Sequence, residues 1–144
     1  MKGFFEHQYL SYKKNHLKNL LALANADGNI HKKELELLFK IGKKYGLKDW
    51  QIQNLVDSKE TFELNIPDNF HDRMNLLYDL MLMVYADGKV EKREIEFCED
   101  VAKRFKMQKA IVTWLLDKFD RGLPPPPDLW EEMKEYAREK YTKA

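Results

Sequence analysis

Two carboxylate-bearing turns carry the residue types and spacing in this chain that could do chemistry. The stretch Ala26-Asp27-Gly28-Asn29-Ile30-His31-Lys32-Lys33-Glu34-Leu35-Glu36 returns sixty residues on as Ala86-Asp87-Gly88-Lys89-Val90-Glu91-Lys92-Arg93-Glu94-Ile95-Glu96. Six of the eleven positions are identical and three are conservative exchanges. An Asp-Gly, an apolar residue two places after the Gly and a Glu six places after it match the second half of a calcium-binding EF-hand loop. The first half does not match. The two earlier ligand places hold Leu23 and Asn25 in one copy, Met83 and Tyr85 in the other, and a Leu or Met supplies no oxygen to a hard cation. A normal EF-hand is therefore not expected. A metal-free reading also accounts for the identities. Asp27 and Asp87 can accept backbone N–H groups in Asx-type turns, while Glu34 and Glu94 fall at the third position of the following helix, where they fold back on its first amides. Both glutamates then lie at the positive end of that helix.

The elements that position these turns follow from periodicity. Residues 4–25 carry Phe5, Tyr9, Tyr12, Leu17, Leu20, Leu21 and Ala24 mostly at three- and four-residue steps, the pattern of an amphipathic helix. Its aromatic first half suits core packing, with peripheral membrane or partner anchoring as the other reading. Asp27-Gly28 breaks it, and a second helix runs from about His31 to Tyr45 with Ile30, Leu35, Leu38 and Ile41 inward and Gly46 as its stop. Asp49 is expected to cap a short third helix to Asp57 with Trp50, Ile52 and Leu55 inward. Residues 58–67 read as a linker. Asp68 is expected to cap a fourth helix through Tyr85, apolar on more than one face and so the most buried. After Asp87-Gly88 a fifth helix runs to Phe105 with Val90, Ile95, Cys98, Val101 and Phe105 inward, and a sixth from Lys109 to Asp120 with Trp114 among its apolar residues. Aligning the copies pairs Cys98 with Leu38, which makes it a core residue rather than a nucleophile. Pro124 to Pro127 should form an extended polyproline spacer of about 12 Å. Asp128 with Glu131 reads as a capping box that opens a last helix, 128–142.

The expected architecture is all-α: about seven helices in a single domain, 1–144, with a pseudo-two-fold internal repeat (about 16–56 and 76–116). Repeat one spans 4–57, the linker 58–67, repeat two 68–121, and the proline segment 123–127. The chain holds 25 Lys and Arg against 24 Asp and Glu, a net charge of +1, so no global field directs it to nucleic acid. Its basic pairs, such as Lys13-Lys14 and Lys103-Arg104, have acidic neighbours and read as solvated helix faces. One cysteine in the whole chain permits no internal disulfide. Residues 1–7 lack the apolar region of a secretion signal, and the longest apolar run, Leu80 to Ala86, falls far short of a membrane span. A cytoplasmic protein with no transmembrane segment is expected. His7, His16, His31 and His71 are scattered, no Ser lies in a nucleophile turn, and no Gly-rich phosphate cradle exists, so an enzyme is not expected.

The paired Asp-Gly turns, each with a Glu seven residues after the Asp and flanked by apolar helices over roughly residues 10 to 120, resemble the TerB-like family of tellurite-resistance and co-chaperone amino-terminal domains. The resemblance implies an all-α module with an internal repeat, non-catalytic, acting in stress response or as a scaffold. It also implies divalent-metal binding through Asp27, Glu34, Asp87 and Glu94. Calcium or magnesium would suit four carboxylates and water if the turns face each other, with zinc or manganese a lesser candidate because His31 adds a softer nitrogen. His31 and Glu91 depart from the usual Ser, Thr or Asp before the helix. The alternative is a metal-free protein-interaction module that uses Phe4, Phe5, Tyr136, Tyr141 and the proline segment as its contact surface.

Overall fold

The computed structural model describes residues 4–25, 30–58, 64–86, 88, 90–119 and 123–142, with side chains from residue 13 onward. Among the described residues there are seven helices and no strand, so the chain is all-helical. Its contacts divide into two compact units, Met1–Asn65 and Ile66–Ala144, and the division falls inside the expected linker. No helix among the described residues is long and apolar enough to cross a membrane.

The first unit holds α1 (Phe4–Ala24), α2 (Lys32–Lys44) and α3 (Asp49–Asp57). α2 packs against both of the others. Leu17, Leu20, Leu21, Leu23 and Ala24 of α1 are buried with Leu38 and Ile41 of α2 and Ile52 of α3. The end of the linker is tied down: the buried Asn19 side chain donates to the Asn65 carbonyl at 2.8 Å and accepts the Asn65 N–H at 2.7 Å. A primary amide matches a peptide group in this way because it offers one donor and one acceptor side by side.

The second unit holds α4 (Phe70–Val84), α5 (Lys92–Arg104), α6 (Ala110–Lys118) and α7 (Pro127–Tyr141). α4 buries Met74, Leu76, Leu77, Leu80, Met81, Met83 and Val84 on more than one face, as its all-round apolar composition implied. Tyr85 Oη donates to the Leu116 carbonyl at 2.7 Å, and the Gln108 N–H donates to the Tyr141 carbonyl at 2.8 Å. These bonds fix the end of α4 on α6 and the end of α7 on the loop before α6. Cys98 is fully buried, and that burial, with the Glu94 and Glu99 carboxylates adding to it, pushes its thiol far above the ordinary range. It is a packing residue, not a nucleophile.

The matching stretches of sequence build matching local structure. α2 and α5 each follow an extended residue, His31 or Glu91, and each ends in the same pair of backbone bonds. In the first copy Gly46 N–H reaches Lys43 O and Leu47 N–H reaches Gly42 O, both at 2.9 Å; in the second Lys106 N–H reaches Lys103 O and Met107 N–H reaches Ala102 O at the same distance. This is a Schellman stop, which needs a left-handed residue just past the helix. Gly46 supplies it at φ 88°, but in the second copy Lys106 is forced to φ 61°. Lys106→Gly is therefore expected to raise the unfolding free energy by about 0.5–1 kcal/mol, while Gly46→Ala lowers it by about 1 kcal/mol. Urea unfolding of the two variants checks the opposite signs.

Several expectations are corrected by packing. Asp49 is the first residue of α3 rather than its cap; the cap is Lys48, whose N–H bonds Gln51 Oε1 at 2.8 Å, while Asp49 pairs with Lys43 at 3.2 Å. Asn69, not Asp68, caps α4 by accepting the Asp72 N–H at 2.9 Å. Pro127 is the first residue of α7, where its missing N–H costs nothing, so the extended proline segment is one residue shorter than expected and Asp128 is no cap. Glu131 turns to Lys134 Nζ at 2.7 Å instead of back to the helix start. Trp50 is 61% exposed rather than inward, Val90 is exposed, and Tyr141 is buried rather than a contact residue. Phe4 and Phe5 have side chains outside the described residues.

Candidate functional site

Two places were open to chemistry, and the first is the pair of acidic turns. Asp27 and Asp87 lie outside the described residues. Glu34 and Glu94 are buried, only 2% and 5% exposed, each at the third position of its helix. Glu34 Oε1 accepts the His31 N–H at 3.3 Å and Glu94 Oε1 accepts the Glu91 N–H at the same distance. Each carboxylate thus folds back on the residue before its helix, satisfying an amide with no intrahelical partner and facing the positive helix end. His31 Nε2 is 3.9 Å from Glu34 Oε1. Each glutamate serves its own unit in this role. Among the described residues no group of three or more His, Cys, Asp or Glu is placed to hold a metal ion. Glu94→Leu, which removes the acceptor, is expected to cost about 1 kcal/mol and Glu94→Gln less, measured by thermal unfolding.

The second place is a groove of about 620 Å³ in the second unit, lined by Trp114 and Lys118 of α6, Leu123 and the proline segment, and Leu129, Glu132, Met133 and Tyr136 of α7. Its walls are built by the aromatic and proline residues themselves. Trp114 and Tyr136 have ring centroids 5.3 Å apart, tilted by 31°, and Tyr141 stands 5.5 Å behind Trp114. Lys140 Nζ donates to Tyr136 Oη at 3.1 Å, and that bond is the chief reason the Lys140 amine is held above its usual range. The prolines are not a free spacer. Pro125 is buried and its carbonyl accepts Tyr78 Oη at 3.3 Å. Burial, then the Asp79 carboxylate, pushes the Tyr78 hydroxyl above its ordinary value, which keeps it a donor.

α7 is held in place along the rest of its length by a buried lysine. Lys134 Nζ lies 2.8 Å from His71 Nδ1 and 2.7 Å from Glu131 Oε1. An ammonium can only donate, so His71 Nδ1 is the acceptor in this contact. The Lys134 hydrogen bond, and after it the Lys134 charge, hold the Glu131 carboxyl below its usual range. Arg138 of the same helix stacks over the Phe70 ring at 4.6 Å.

The chain matches no protein-family model, no curated protein and no solved structure. The proline run and Tyr136 were visible in the sequence as contact candidates. Trp114, Leu129, Glu132 and Met133 were not, because they come together only when α6 and α7 close on the proline segment.

Proposed function

We propose that this chain is a non-catalytic protein-interaction module and that the groove formed by α6, the proline segment and α7 is where it holds its partner. One observation carries the reading. Of the six large apolar side chains exposed among the described residues, three line this groove: Leu123 at 71%, Leu129 at 44% and Tyr136 at 44%. Exposed apolar side chains scattered singly need no explanation, whereas their concentration in one concave surface marks a binding site. Aromatic anchors flanked by polar residues are also what protein interfaces use at their centres.

Selection of random peptides against the full chain tests this directly. Sequences that bind the wild type and lose at least tenfold in affinity to Leu129→Ser are the expected result. Leu129 is exposed, so the variant keeps its fold. A selection that enriches nothing, or peptides indifferent to that substitution, overturns the reading.

A divalent-ion role at the two Asp-Gly turns is the second reading, favoured by the burial of Glu34 and Glu94 immediately after them and by the TerB-like pattern of the residues. On this reading calcium or magnesium raises the melting temperature of the wild type and not of Asp27→Asn with Asp87→Asn. A melting temperature unchanged by any common divalent ion removes it.

A further inference from the structure

We infer that the groove of the second unit recognises an extended, proline-rich segment of another protein, with a basic side chain set against Glu132 and an acidic one against Lys118. This rests on the interaction-module reading and names its partner class. The first support is shape. Trp114 and Tyr136 present flat rings 5.3 Å apart at a shallow tilt, beside the proline segment and Leu129. Rows of pyrrolidine rings on a three-residue repeat dock into grooves of this composition, and they enter already ordered, with little conformational entropy left to lose.

The second support is hydrogen bonding. The Trp114 indole N–H makes no hydrogen bond within the described residues. A polyproline segment has no internal hydrogen bonds, so its carbonyls are available to such a donor, whereas a helical ligand has already used most of its own. The third support is charge. Lys118 and Glu132 both line the groove, both are exposed, and neither has an ion-pair partner among the described residues. Opposite charges on one groove select a ligand with the complementary pair and set the direction in which it lies. The proline run of a second copy is not the occupant. Its Pro125 is buried and bonded to Tyr78, so it is not on offer without unfolding.

The test uses the full chain, isotope-labelled, titrated with three synthetic ten-residue peptides. One carries a Pro-Pro-x-Pro core with Arg on one side and Asp on the other, the second has its prolines replaced by Ala, and the third is an amphipathic helix of the same charge. The first is expected to shift the Trp114 indole N–H and the resonances of Leu129 and Tyr136, and to bind at least tenfold more tightly than the second. Glu132→Lys is expected to reverse the preference, favouring a peptide in which Asp replaces the Arg. Binding of the helical peptide at these residues in preference to the proline peptide overturns this inference and leaves the interaction-module reading standing. Failure of every peptide to move groove resonances, taken with a selection that enriches nothing, overturns both. Binding of the proline peptide that ignores Leu129→Ser and Glu132→Lys places it elsewhere and also overturns the inference.

Discussion

Trp130→Ala is expected to lower the unfolding free energy by about 3–5 kcal/mol, the range for deleting a large buried aromatic side chain. Trp130 is the buried anchor of α7. Its ring lies edge-on to Tyr78 at 4.9 Å and to Phe119 at 6.1 Å, and those two rings meet each other at 5.0 Å, so α4, α7 and the end of α6 share one aromatic cluster. Its Nε1–H also donates to Asn75 Oδ1 at 3.1 Å. Alanine removes the ring, leaves a cavity between Tyr78 and Phe119, and strips Asn75 of a donor. The change also reaches the groove, because Leu129, Glu132, Met133 and Tyr136 sit on the helix that Trp130 holds down. Trp130→Phe separates the two contributions. It keeps an aromatic ring against Tyr78 and Phe119 but not the hydrogen bond, and is expected to cost about 1–2 kcal/mol. Urea unfolding followed by far-UV circular dichroism measures both variants. A loss under about 1 kcal/mol for Trp130→Ala, far below what a filled site gives up, shows that α7 does not depend on this cluster.

Gly42→Ala should destabilise the first unit although helix propensity alone predicts a gain of about 1 kcal/mol. A Cβ on Gly42 would stand 2.6 Å from Ile52 Cδ1 and 2.9 Å from its Cγ1, with Leu17 Cδ2 at 3.6 Å. Ile52 is fully buried and branched at Cβ, so it has little room to give way. Overpacking of this kind costs about 1–3 kcal/mol. The residue sixty places on from Gly42 is Ala102, the one sixty places on from Ile52 is Val112, and both are buried. A methyl gained at one position accompanies a methylene lost at the other. Ile52→Val alone should cost about 0.5–1.5 kcal/mol. Together with Gly42→Ala it should return the protein close to wild-type stability, so that the coupling in a double-mutant cycle equals the sum of the two single losses, about 1.5–4.5 kcal/mol. Additive losses in the double variant would show that the Gly42–Ile52 contact does not limit the packing.

Much of the fold was legible in the chain because its causes are local. The 3.6-residue apolar period depends on neighbours within one turn or two, and it placed each of the helices to within a few residues. The end of α2 was legible because Gly46 answers a backbone requirement that any L side chain meets at a cost, and the strained Lys106 shows the same requirement enforced without a glycine. Glu34 and Glu94 were legible as cap partners for the same reason, since they reach only three residues back along their own chain.

Caps and faces were less accessible. Asp49, Asp68 and Asp128 each have the chemistry of a helix cap, yet the cap position falls one or two residues away from them, at Lys48, Asn69 and Pro126. The starting point is set by where packing stops the helix, and that is worth more than a single cap bond of about 1 kcal/mol. Trp50 and Tyr141 exchanged their expected places for a similar reason: each lies on a helix with apolar residues on more than one side, and only the neighbouring elements decide which side is covered.

The amino-acid sequence by itself determined the helices, the duplication of the motif, the fold-back of Glu34 and Glu94 and the burial of Cys98, all consequences of short-range spacing and composition. Tertiary structure alone decided that the prolines form a wall rather than a spacer, that Trp130 closes the second unit, and that Trp114, Leu129 and Tyr136 share one groove. Those residues are distant or differently phased along the chain. They meet because burying Trp130 between Tyr78 and Phe119 brings α7 back over α6.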